Sequence, residues 1–109
     1  MSGGTHVPAG EVFDLRSLVN ATPHGISSRI LAKADGGNMT LFAFDAGQGL
    51  TEHTSPFDAV VMVIEGALTL TIAGAPVVAT PGTIVRLPAN VPHAVDAAEA
   101  SRMVLVMLK

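Results

Sequence analysis

The chain has 109 residues, 49% of them hydrophobic and 14% charged, with a net charge of −3 and no cysteine. That length holds one domain. The scattered six Lys and Arg, with no Trp or Tyr, argue against a nucleic-acid partner, and the missing cysteines exclude disulfides, thiolate metal sites and cysteine nucleophiles.

A soluble domain carries about 25% charged residues, so this surface is apolar for its size. A homodimer covering part of it through apolar edge strands or sheet faces is expected. The opening MSGGTHVPAG has no basic segment followed by an apolar run, so it does not read as a secretory signal. No run of about eighteen apolar residues offers a membrane span. The expectation is a cytoplasmic protein with no membrane partner.

In chain order, residues 1–10 read as a flexible or partner-crossing segment and residues 11–109 as the folded domain. Asp14 to Asn20 suits a helical turn with Asp14 as its cap. His6 and His24 lie in glycine- and proline-rich surroundings and are expected to be solvated. Met39–Phe44, Leu68–Ile72 and Thr83–Leu87 alternate apolar and polar side chains, the pattern of half-buried strands. Val60–Ile64 and Met103–Leu108 are continuous apolar runs, suited to strands buried on both faces. Turn signals separate them at Glu65-Gly66, Ala73-Gly74-Ala75-Pro76, Thr80-Pro81-Gly82 and Pro88-Ala89-Asn90. Short strands at this spacing predict an all-β sandwich or barrel. Arg86 and Arg102 interrupt apolar strands and are expected to face outward or an interface.

Two stretches carry chemistry. GQGLTEHTSPFDAVVMVIEG spans Gly47 to Gly66, and GTIVRLPANVPHAVDA spans Gly82 to Ala97. They resemble the two motifs of the cupin family, G-x5-H-x-H-x3,4-E-x6-G and G-x5-P-x-G-x2-H-x3-N, and within it the small single-domain bacterial members. The resemblance implies an all-β cupin fold, a double-stranded β-helix or jelly-roll barrel. It also implies a site of three histidines and one glutamate that holds a divalent iron, manganese, nickel, copper or zinc ion. Here Gly47, His53, Gly66, Gly82, Pro88 and His93 match. Ser55 stands at the second histidine position, Ala59 at the glutamate, Asn90 at a glycine and Ala97 at the asparagine. Asparagine tolerates positive φ, so Asn90 is a mild exchange.

The surviving metal ligands are therefore His53 and His93. Asp58 is a weaker candidate, because a regular strand turns it away from the pocket and only a bulge near Pro56 restores its aim. Ser55, Ala59 and Val61 are expected to line the pocket. Three readings stay open. The first is a small-molecule-binding cupin with a reduced metal site, or none. The second is a metal-dependent dioxygenase or isomerase of a small oxygenated compound, using His53 and His93. The third is a structural or interaction module. One imidazole could also serve as a general acid or base.

Overall fold

A computed structural model of the chain describes residues 6–109, which form nine strands and no α-helix. Five strands make one antiparallel sheet: β1 (Ile26–Ala34), β2 (Gly37–Phe44), β9 (Ser101–Leu108), β4 (Asp58–Glu65) and β7 (Ile84–Leu87), in that spatial order. Four make a second: β3 (Gly49–His53), β8 (His93–Asp96), β5 (Leu68–Ile72) and β6 (Ala75–Ala79). Both are antiparallel throughout.

Alternation decides which side chains meet. In β4, Ala59, Val61 and Val63 point into the sandwich and are buried. They pack with Phe44, Leu87 and Met103 of their own sheet and with Leu68, Leu70 and Val95 of the facing one. A buried Leu in such a core contributes about 2–3 kcal/mol by removal of its surface from water. A second apolar cluster lies on the outer face of the five-stranded sheet, around Leu31, Leu41 and Val104. Val7, Leu15, Leu18 and Val19 of the N-terminal segment cover it as a strap.

Several expectations change here. Residues 1–5 lie outside the described residues, but Val7 already donates its N–H to the Leu31 carbonyl at 2.9 Å, so the domain's contacts begin before residue 11. The turn expected over Asp14–Asn20 is a single one at Asp14–Ser17 and does not extend to Asn20: the Asp14 carboxylate accepts the Arg16 N–H at 2.9 Å and the Asp14 carbonyl accepts that of Ser17 at 3.0 Å. Ala75 and Pro76 belong to β6, because the hairpin turn is confined to Ala73 and Gly74. Both have positive φ, 52° and 83°, as a two-residue turn between twisted strands demands.

Candidate functional site

The two motif histidines sit at the ends of neighbouring strands. His53 closes β3, His93 opens β8, and the ladder places them directly opposite one another. Opposed residues on adjacent strands share a face, and this face looks into the sandwich. A register shift between Leu50 and His53 marks a bulge in β3, ahead of Pro56 rather than at it. His93 is buried, at 6% exposure, while His53 reaches the surface.

The hydrogen bonds assign the ring protons. His53 Nδ1 lies 2.8 Å from the Thr51 carbonyl oxygen, and His93 Nδ1 lies 3.2 Å from that of Val91. A carbonyl oxygen can only accept, so each Nδ1 carries a hydrogen and each Nε2 of the neutral ring presents a lone pair. Those two Nε2 atoms converge to 3.1 Å, with the rings edge to face at 4.4 Å between centroids. Two lone pairs at that distance repel unless a cation lies between them. A proton would make an N–H···N hydrogen bond. A divalent ion bonded at about 2.0–2.1 Å to each nitrogen suits the same spacing for two adjacent ligands. A carbonyl holding the far ring nitrogen is also the usual support of a metal-ligating histidine. The two histidines therefore fit a metal as a pair of ligands. Among the described residues no group of three His, Cys, Asp or Glu comes together to complete a set.

Asp58 does not join the pair. It lies on the outward face of β4, where its carboxylate accepts the Ala89 N–H at 2.9 Å and stands 3.6 Å from the Arg86 guanidinium. Ser55 is not beside His53 on a strand, because β3 ends at His53 and residues 54–57 form a connection. Its hydroxyl accepts the Phe57 N–H at 3.2 Å, and its carbonyl accepts the Asn90 N–H at 2.7 Å. Both residues thus bond the loop of the first motif to the loop of the second. That work holds His53 and His93 in register without touching either ring.

Between the sheets a cavity of about 20 Å³ opens beside the pair, lined by Leu50, Val61, Leu87, Val95, Met103 and Leu105 as well as the two histidines. That is room for about one water or one ion. Val61 lines it, whereas Ala59 is buried among the core side chains. The other lining residues were legible only through the strand pairing: Leu50 lies opposite Val95, and Val61 opposite Leu105.

Arg86 faces outward. Arg102 is neither solvated nor free for a partner: it donates to the Val19 carbonyl at 3.1 Å, to Glu65 at 2.7 Å and to Asn20 at 2.6 Å, tying the strap to the sheet. His24 is exposed, and its backbone N–H donates to Asp45 at 2.7 Å.

The fold has counterparts among known proteins. Residues 40–109 match the family model described as a cupin domain, which is more than half of the chain. The chain belongs to the cupin family. Among solved cupin-fold structures, a conserved protein of unknown function from Streptococcus pyogenes is 33% identical, with a TM-score of 0.90 over 100% of this chain and 96% of that one. A cupin 2 conserved barrel domain protein from Leptotrichia buccalis is 34% identical, with a TM-score of 0.83 over 89% of this chain and 47% of that one. A cupin superfamily protein from Desulfitobacterium hafniense shares the fold, with a TM-score of 0.88 at 23% identity over 94% of each chain. No curated protein matches this cupin. Among the described residues no helix is long and apolar enough to cross a membrane.

Proposed function

We propose that this cupin binds a small molecule at the His53–His93 pair, where these two histidines would hold a divalent transition metal ion. The observation that carries this reading is the convergence of two nitrogens to 3.1 Å beside a small, mostly apolar cavity. Such an ion would supply Lewis acidity and open coordination positions. Iron, manganese, nickel, copper and zinc all accept imidazole.

The rest follows from this chain's own groups. Thr51 and Val91 carbonyls keep both rings in the Nδ1–H form. The Ser55–Asn90 and Asp58–Ala89 bonds keep the two loops together. Apolar side chains wall the inner side, and the exposed edge of His53 leaves approach from outside. With two protein ligands rather than three or four, the ion is held weakly alone and more firmly when the small molecule adds donor atoms. That favours a binding or sensing role over turnover. A metal-dependent enzyme acting on a small oxygenated compound is the second reading, and the same two histidines would serve it.

Calorimetric titration of tag-free protein with Fe²⁺, Mn²⁺, Ni²⁺, Cu²⁺ and Zn²⁺ in turn tests the proposal. One site per chain is expected, lost in His53→Ala and in His93→Ala and kept in Asp58→Asn. Small hydroxy- and keto-carboxylates should raise the melting temperature more with metal than without it, as linkage requires. Wild-type protein that binds none of the five metals would overturn the reading.

A further inference from the structure

The inner face of the five-stranded sheet carries a lysine that unbroken alternation turns outward. On β1, Ile30 lies opposite Thr40, which shares the inward side of β2 with Phe42 and Phe44. Regular alternation from Ile30 aims Ala32 inward and Lys33 outward. The register shift between Ile30 and Ala32 reverses this. Ala32 lies opposite Met39, a member of the outer cluster, and Lys33 lies opposite Asn38. Asn38 in turn lies opposite Met107, which packs on the inner core. Lys33, Asn38 and Met107 therefore form one inward-facing row. Bulges are over-represented next to active sites, where they re-aim side chains.

This row lies at the histidine end of the sandwich. Residues 54–57 join His53 to Asp58, Asp58 lies opposite Leu108, and Leu108 lies opposite Gly37. Met107 is the next inward residue on β9 after Leu105, which lines the cavity. β1 and β3 are edge strands of their sheets, and β3 follows β2 after four residues, so both edges lie on one side. Lys33 and His53, both exposed, thus flank the same approach. The ion pairs engage Arg16, Arg86 and Arg102, and among the described residues no carboxylate pairs with Lys33. We propose that Lys33 selects a carboxylate on the small molecule bound at the histidines, with the Asn38 side-chain amide as a second donor. The proposal rests on the small-molecule reading above and adds the charge of the ligand. A lysine meets a carboxylate as a mobile point charge, and the amide N–H groups donate to its other oxygen. The ligand is then a short acid, its carboxylate at Lys33 and a donor oxygen at the histidines. A neutral compound of the same shape keeps only the second contact. Because Lys33 is exposed, the pair is worth about fivefold in affinity.

Calorimetry of the tag-free full chain with lactate, malate and 2-oxoglutarate, each against its neutral amide, tests this with and without Zn²⁺. Wild-type protein should bind at least one acid about fivefold tighter than its amide. Lys33→Gln should remove that preference and leave the affinity for the amide unchanged, while Lys33→Arg keeps most of it. A purely structural role for Lys33 would not move the acid-to-amide ratio. Zn²⁺ titrated without any acid should bind Lys33→Gln as it binds wild type. An acid preference lost in Lys33→Gln, in protein that binds no metal, would remove the metal reading and uphold the role of Lys33. No acid preference in wild type, or a preference that Lys33→Gln retains, would overturn the proposal.

Discussion

Asn90 adopts φ 63°, in the left-handed region, at a motif position where the family pattern has glycine. Its N–H is also the group that bonds the Ser55 carbonyl. Asparagine is the side chain best suited to that backbone after glycine, which is why this departure from the pattern leaves the second motif's geometry in place. Gly66 has no such latitude. Its φ is 78°, and a Cβ there would collide with the Ala100 carbonyl and Ser101. Asn90→Gly should therefore change stability by less than about 0.5 kcal/mol, Asn90→Ala should cost about 1–2 kcal/mol, and Gly66→Ala should cost more than either, in urea denaturation followed by circular dichroism. Asp45 provides a pH signature. Backbone N–H bonds from His24 and Ala46 hold its carboxyl below the ordinary 3.8. A depressed carboxyl stabilises the fold above its unfolded pKa and loses that contribution as pH falls through 3.8 and below. The stability difference between wild type and Asp45→Asn should accordingly be steady from neutral pH to about 5 and shrink below about 4.

At the scale of elements, the strands with clean periodicity were legible. Met39–Phe44, Val60–Ile64, Leu68–Ile72, Thr83–Leu87 and Met103–Leu108 correspond to β2, β4, β5, β7 and β9 within two residues at each end. β1 was not, because a register shift between Ile30 and Ala32 breaks its alternation. β6 was hidden by Ala75 and Pro76, which read as turn residues but sit on a sheet edge where a missing N–H is tolerated. The strap has no periodicity at all, and its place depends on tertiary contacts: Leu15, Leu18 and Val19 on an outer sheet face, and Arg102 bonding Val19 and Asn20. Arg102→Ala should cost about 1–3 kcal/mol, since it removes several bonds from a charged donor, and should speed amide exchange across residues 15–20. Arg16→Ala breaks only the exposed pair with Asp14 and should change stability by less than about 1 kcal/mol.

For the whole molecule, the family and its sandwich could be read from the motif spacing, and so could the two histidines. What the sequence left open was the direction of Asp58 and Ser55. Both turned on where β3 ends and whether β4 begins regularly, which single-residue patterns do not reveal. The result is a cupin in which two imidazoles converge at a small apolar cavity, while Asp58 and Ser55 bond the two motifs to each other. The central claim is that both rings are Nδ1–H tautomers whose Nε2 atoms would hold a divalent ion. Long-range ¹H–¹⁵N correlation spectra of the imidazoles, recorded with and without Zn²⁺, test it most directly. The prediction is protonated Nδ1 resonances for His53 and His93 in both spectra, with both Nε2 resonances moving together as zinc is added. An Nε2–H tautomer for either ring, or Nε2 resonances that zinc leaves unmoved, would contradict it.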